Sequence, residues 1–327
     1  MKKLVVMLIM VLCFVTVFSG CSSKEEVIIY TNIEENRSQL LQERVNEQFP
    51  DLDVKIQYLS TGNTAAKIKT EGTNVEADIV LGLETSYMES LKDNFVVLNG
   101  LDGINDDHYL DGINPEHGQY YIWDQYSASI TIDKKFFDDK GWAYPTSYED
   151  LLDPKYAGLI AMPDPKSSGT GYMYYLNVMN LMGEEEGLAY FDKLSANIAQ
   201  FTTSGSGPIS LLVQGEVAIA MGMTYQGVEE INKGADFKVI EFDTGLLYNT
   251  TSIGIIKGKE ADENVRKVFQ WVNTEFSLYD KENYIPGKIF KEQTTRIENY
   301  PETVKLSDMT GIDDNAVKES LLAIWKY

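Results

Sequence analysis

The stretch VIIYTNIEENRSQLLQERVNEQFPDLDVKIQY, residues 27–58, decides the fold class. Val27-Ile28-Ile29-Tyr30 is a compact β-rich run. From Glu34 to Phe49 the apolar residues Leu41, Val45 and Phe49 recur at helical spacing until Pro50 ends the helix. Val54-Lys55-Ile56-Gln57-Tyr58 then alternates with the period of a strand. Working outward, Asn63 to Glu71 reads as a helix, Ala77-Asp78-Ile79-Val80-Leu81 as a third strand, and Tyr87 to Leu91 as the next helix. Strands alternating with helices predict an α/β fold whose mostly parallel sheet is covered on both faces, with ligands at the carboxyl ends of the strands.

A second series begins beyond Ser129-Ile130-Thr131-Ile132. Thr146 and Glu149 have the spacing of a capping box opening a short helix through Leu152. Leu159–Met162 and Val217–Met221 read as strands; Tyr172–Met182, Leu188–Ala196 and Ile209–Gln214 read as helices. After Ser252-Ile253-Gly254-Ile255-Ile256 the chain closes with helical segments around Val265–Phe276 and Ala316–Trp325. No internal repeat has a convincing period.

The chain has 327 residues, enough for two lobes, and carries 50 Asp+Glu against 28 Lys+Arg for a formal charge of -22. That charge repels a nucleic-acid backbone or an anionic bilayer, so nucleic acid is set aside as a partner. The start is a processing signal: basic Lys2-Lys3, an apolar run from Leu4 to Phe18, and small Ser19-Gly20 before Cys21, which resembles a bacterial lipoprotein signal. The alternative is an ordinary cleaved secretory peptide. Cleavage before Cys21 leaves one cysteine, consumed by the lipid, so disulfides, thiol catalysis and Cys-based metal sites drop out. The expected arrangement is a signal over residues 1–20, a tether over 21–26, and an extracytoplasmic globular part anchored to the outer face of the cell membrane by lipidated Cys21.

Four strand-to-helix junctions carry the chemical information: Tyr30-Thr31-Asn32, Ser60-Thr61-Gly62-Asn63-Thr64, Ser167-Ser168-Gly169-Thr170-Gly171 and Thr203-Ser204-Gly205-Ser206-Gly207-Pro208. Each sets hydroxyls, and three of them glycines, where a helix begins. Free backbone N–H groups, hydroxyls and the positive end of the helix dipole there suit a small oxoanion. Any one junction alone is also explained as plain N-capping. Three glycine-containing clusters at one topological position favour ligand approach, because glycine exposes the backbone.

These junctions, with Ala77-Asp78-Ile79-Val80, the run Pro145-Thr146-Ser147-Tyr148-Glu149-Asp150-Leu151-Leu152-Asp153-Pro154-Lys155-Tyr156, Asp164-Pro165-Lys166 before the Ser167 cluster, and Gln214-Gly215-Glu216-Val217-Ala218-Ile219, resemble the ABC importer substrate-binding proteins. The branch is the one containing receptors for ferric iron, 2-aminoethylphosphonate and hexose phosphates. The resemblance covers about residues 27–290. It implies a two-lobed periplasmic-binding-protein fold of type II, a hinge, an interlobe cleft, a permease partner and a monomer without cofactor. Crossings are expected near Ser127–Thr131 and Thr251–Ile255, giving lobe 1 as 27–127 with 253–327 and lobe 2 as 128–252. Thr31, Asn32, Thr61, Gly62 and Glu84 from the first lobe, and Ser168, Gly169, Thr170, Ser206 and Tyr225 from the second, would meet in the cleft.

For the ligand the resemblance divides. Ferric receptors of the family hold iron by a His after the first strand, a Glu after the third and two adjacent Tyr; here Glu84 and Tyr225 match, while Glu34 stands for the His and Thr224 for the first Tyr. An oxygen set of Glu34, Glu84 and Tyr225 is the ferric alternative. The favoured expectation is an aminophosphonate, its ammonium on Glu34 and Glu84 and its oxoanion on Thr61, Ser168, Thr170 and Ser206. Phosphorylated sugars rank third. Catalysis finds no support: His108 and His117 are the only imidazoles, no Gly-x-Ser-x-Gly or His-Glu-x-x-His occurs, and Gly254–Glu260 fails the phosphate-binding loop. An adhesin or structural lipoprotein is the alternative of another class. Tyr172, Tyr174, Tyr175, Met179, Met182, Met221 and Met223 read as core, Asp78 as a structural carboxylate, and Glu184-Glu185-Glu186 as a solvated turn.

Overall fold

A computed structural model describes residues 24–294, 297–301 and 305–327. Cys21, the signal and the first part of the tether lie outside the described residues. The strands are β1 (Glu25–Thr31), β2 (Leu52–Tyr58), β3 (Ile79–Glu84), β4 (Tyr121–Asp133), β5 (Ile160–Pro163), β6 (Ile198–Thr202), β7 (Ile219–Met223), β8 (Phe237–Ile240) and β9 (Leu247–Ile255). The α-helices are α1 (Glu35–Gln48), α2 (Thr61–Glu71), α3 (Thr85–Ser90), α4 (Lys134–Lys140), α5 (Gly169–Met182), α6 (Glu184–Leu194), α7 (Gly207–Val213), α8 (Thr224–Asn232), α9 (Glu263–Trp271), α10 (Ser277–Asn283) and α11 (Asn315–Ile324). A π-turn over Val272–Phe276 joins α9 to α10.

Among the described residues one mixed sheet runs in the order β2-β1-β3-β9-β4-β7-β5-β6, with β8 on the far part of β4. β1 is parallel to β2 and β3, and β5 is parallel to β6 and β7, as the alternating pattern predicts. The long β4 is antiparallel first to β9 (Tyr121–Ala128) and then to β7 and β8. It therefore belongs to two packing units. Val27, Ile29, Leu41, Val80, Trp123 and Ile255 lie in one buried cluster; Tyr126, Ile130, Tyr174, Ile219 and Leu247 lie in another.

The cores change over between Trp123 and Tyr126 on β4 and between Leu247 and Ile253 on β9. The expected crossing at Ser127–Thr131 thus comes too late, because Ala128 and Ile130 already pack in the second cluster. Nor does the chain from 253 to 327 belong wholly with the first core. Ile285, Met309, Ile312, Leu321 and Trp325 pack in the second, where Tyr175 donates to the Leu321 carbonyl at 3.1 Å and Trp325 meets Tyr175 edge-on at 4.9 Å.

Smaller differences have local causes. Residues 25 and 26 pair with Leu52 and Asp53, so strand replaces tether there. The box expected at Glu149 is made by Asp150, whose carboxylate accepts from the backbone N–H groups of Thr146 (2.7 Å) and Ser147 (3.2 Å). Asp78 is structural as expected, accepting from Ile28 N at 2.8 Å and pairing with Lys259 at 3.0 Å. Tyr172, Tyr174 and Tyr175 are buried.

Candidate functional site

The carboxyl ends of β1, β2 and β3 and the loops after β5, β6 and β7 surround a cavity of about 1120 Å³. Its two sides touch at the rim. A Cβ on Gly62 would stand 3.5 Å from the Lys166 carbonyl oxygen, and Asn36 of α1 donates to Glu229 of α8 at 3.3 Å. Of the sequence-predicted residues, Asn32, Glu34, Thr61, Gly62, Glu84, Ser168, Gly169, Thr170 and Ser206 line this cavity.

Thr31 and Tyr225 do not line it. Thr31 is fully buried and its hydroxyl accepts from Ile33 N at 3.2 Å, a turn closure rather than a ligand contact. Tyr225 lies buried behind Arg37, whose guanidinium stands 5.8 Å from its ring. Burial first, then the Glu34 charge, push its phenol well above the ordinary value, which disfavours a phenolate. Met223 packs against the second core, as expected, and also reaches the cavity.

The lower wall is a buried ion network that sequence reading missed. Arg37 grips Asp280 with two bonds of 2.7 Å and reaches Glu34 at 2.9 Å and Asp124 at 3.0 Å; Lys281 pairs with Asp280 at 2.8 Å. Burial opposes the charge on Arg37, yet Asp280, Glu34 and Asp124 together raise its pKa well above normal. Burial likewise pushes Asp280 up, and Arg37 and Lys281 overcome it to hold the carboxyl below its usual range. Two cations here face three carboxylates, leaving one negative charge in excess, and Glu34 and Asp124 are the two that line the cavity.

Glu84 is compensated separately, by a buried ion pair with Lys318 of α11. Its other oxygen, Oε1, lies against Gly169 at the start of α5, where a Cβ would overlap it and stand 3.1 Å from the Tyr126 hydroxyl. Gly169 therefore admits Glu84 across the cleft, whereas the sequence reading had it admit a ligand. Gly205 and Gly207 likewise make room for Thr170 and Thr202, and Gly171 for the Pro163–Asp164 backbone. Ser168 is a cap, its hydroxyl accepting from Gly171 N at 3.4 Å. In strand register Glu84 and Asp124 both stand opposite Thr251, which donates to Asp124 at 2.7 Å.

The start of α2 differs from that of α5. Ser60 makes no side-chain cap, so the first amides of α2 keep the unsatisfied donors of a helix start, beside cavity-lining Thr61, Gly62 and Asn63. Thr61 Oγ1 accepts from Asn32 Nδ2 at 2.8 Å, which leaves the hydroxyl proton to donate elsewhere. Asn32 Oδ1, Glu84 Oε1 and Thr170 Oγ1 are buried cavity-wall atoms without a protein partner among the described residues. Such atoms are costly unless something donates to them.

The oxygen set Glu34, Glu84 and Tyr225 is not free for iron. Arg37 holds Glu34, Lys318 holds Glu84 and the buried Tyr225 phenol is held protonated; among the described residues no three His, Cys, Asp or Glu are disposed to hold a metal. No helix among them is long and apolar enough to cross a membrane.

The chain is similar to several known proteins. A Haemophilus influenzae protein of undescribed role is 24% identical over 271 residues, covering 78% of this chain and 75% of its own. The thiamine-binding periplasmic protein of Brucella melitensis is 24% identical over 62% of this chain and 60% of its own. The putative 2-aminoethylphosphonate-binding periplasmic protein of Salmonella typhimurium is 24% identical over 39% and 40%. The solved periplasmic binding protein AfuA of Actinobacillus pleuropneumoniae, with exogenous fructose-6-phosphate bound, superposes with a TM-score of 0.76 over 93% of this chain and 98% of its own at 20% identity. The periplasmic thiamin binding protein gives 0.72 over 94% and 97% at 16%. These likenesses identify the type II periplasmic-binding-protein fold. The family model described as bacterial extracellular solute-binding protein matches residues 75–272, and the chain belongs to that family.

Proposed function

We propose that this member of the ABC importer solute-binding proteins captures a small zwitterion, an oxoanion joined to a cationic group, and hands it to a membrane permease while tethered through lipidated Cys21. The observation that carries the reading is one cavity with two unlike kinds of lining. The uncapped start of α2, with Ser60, Thr61 and Gly62, suits the oxoanion. In the same cavity, Glu34 and Asp124 retain one negative charge beyond what Arg37 and Lys281 neutralise, which suits the cation. The oxoanion cradle thus moves from Ser168-Gly169-Thr170, where Glu84 already stands, to the α2 junction.

An aminophosphonate meets both demands, in keeping with the Salmonella relative's description. A second reading, thiamine or its phosphate, is favoured by Tyr58. This aromatic ring on the cavity wall is 55% exposed and offers a face to a planar cation. The test is a thermal-shift panel of 2-aminoethylphosphonate, thiamine, thiamine phosphate, hexose phosphates and ferric citrate with phosphate. A ligand at 100 times its Kd should add about 2.7 kcal/mol of stability. A shift with the zwitterions, confirmed by calorimetry, supports the proposal; a shift with the ferric sample alone, or with no solute, refutes it.

A further inference from the structure

We propose that Lys318 of the C-terminal helix is a specificity-determining residue of the cleft: its ammonium neutralises Glu84 from behind, closes that end to metal cations, and leaves Oε1 to accept from a hydroxyl or N–H of the solute. The inference rests on the reading of this cavity as the solute site. Lys318 is 2% exposed; besides its ion pair with Glu84, its Nζ lies 4.2 Å from the Tyr87 ring centroid and 4.7 Å from that of Tyr172. A carboxylate and two aromatic faces make a cation site, and the chain's own lysine fills it.

The position is held from both ends of α11. Asp314 caps the helix, accepting from Ala316 N at 2.8 Å and Val317 N at 3.2 Å, while Leu321 and Trp325 pack in the second core. Lys318 is therefore set across from Glu84, 234 residues away in sequence, by helix geometry rather than by chance contact of a flexible stem. Glu84 Oε1, buried against Gly169, has no protein partner among the described residues, and Glu84 lines the cavity. Burial and then the Glu84 charge push the carboxyl of Asp313, next to the capping Asp314, up, with Lys318 opposing them. Remove the ammonium and the buried Glu84 carboxylate is left without a counter-charge at a site lined by the Tyr87 and Tyr172 rings. Hard cations with a preference for oxygen are what such a carboxylate recruits.

The probe is terbium(III) alone, read by tyrosine-sensitised luminescence on the full chain. Each protein is scored against its Glu84→Gln counterpart, so that binding to the acidic surface cancels. Wild type should show no Glu84-dependent site. Lys318→Met should gain a saturable one, at least ten-fold tighter than anything Glu84-dependent in wild type, and Lys318→Arg should not. Lys318→Gln, which keeps the stem, replaces the Met variant if that one fails to fold. A Glu84-dependent terbium site in wild type overturns the inference, as does no gain in a folded Met or Gln variant or an equal gain in the Arg variant. No solute enters this assay, so failure of the solute panel and failure of this inference are separate observations.

Discussion

Arg37→Met removes the one cation that holds Glu34, Asp124 and Asp280 together. Breaking a buried ion pair by deleting one partner costs about 3–5 kcal/mol, because the other charge is left without compensation. The structure points to the lower end. Asp280 keeps Lys281 at 2.8 Å, Asp124 keeps the Thr251 hydroxyl at 2.7 Å, and Glu34 sits at the cavity wall where water can reach it. About 3 kcal/mol is expected, or roughly 6–12 °C in Tm if each kcal/mol shifts a chain of this class by about 2–4 °C. The pH dependence carries the sharper test. In wild type Asp280 is held below its unfolded pKa, so its contribution is present at neutral pH and is lost as pH falls through the folded pKa. Without Arg37 burial wins at Asp280, its folded pKa rises, and the variant regains stability relative to wild type on acidification. Urea unfolding of both proteins at pH 7 and pH 5 measures this. A deficit below 1 kcal/mol at pH 7, or one that grows towards pH 5, would show that the network is not what holds this wall.

Three further outcomes follow from the same geometry. Thr170→Val removes a buried hydroxyl without a protein partner, so the free protein should lose almost no stability while affinity for the panel's best ligand falls about 3- to 10-fold by calorimetry, the loss of one ordinary hydrogen bond. Gly169→Ala places a methyl on Glu84 Oε1 and should weaken closure by about 1–3 kcal/mol, read as lower affinity and a larger radius in small-angle scattering; unchanged affinity means Glu84 does not cross the cleft in the bound form. Cys21→Ala should abolish incorporation of a palmitate analogue, since Cys13 is preceded by Val11-Leu12 rather than small residues; undiminished labelling removes Cys21 as the anchor.

The β-α alternation was legible because its signals are local. Leu41 and Val45 lie one turn apart on α1 and are both fully buried, and the runs at residues 27–30, 54–58 and 77–81 became or entered β1, β2 and β3. The junction chemistry was half legible. A Ser or Gly at a helix start announces the start, but whether the backbone there serves a ligand or a neighbouring chain depends on what crosses the cleft. At Gly169 the crossing group is Glu84. The network was not legible at all. Only Glu34 lies near Arg37 in sequence; Asp124 is 87 residues away and Asp280 is 243. β8 also escaped, since Phe237–Ile240 is four residues long and pairs at the end of a strand already satisfied elsewhere.

What unites the predicted Glu84 with Asp124 and Thr251, which sequence reading missed, is their place in the sheet. Glu84 on β3, Thr251 on β9 and Asp124 on β4 are register partners, so their side chains share one face, and the backbones of the two acidic residues are two inter-strand spacings apart, about 10 Å. This row lies at the changeover between the two cores, beside the β4 irregularity between Ile122 and Asp124. Two like charges at that spacing would push the sheet open unless each were met from outside it. Arg37 arrives from the first helix and Lys318 from the last, and the two helices have different anchorage: Leu41 of α1 packs in the first core, Leu321 of α11 in the second. A rotation of one core against the other must therefore strain at least one of the two ion pairs. On the proposed reading, a solute that donated to Glu84 Oε1 and set its cation beside Glu34 and Asp124 would stabilise the closed arrangement of both, which would couple ligand recognition to hinge position through the same three-strand row.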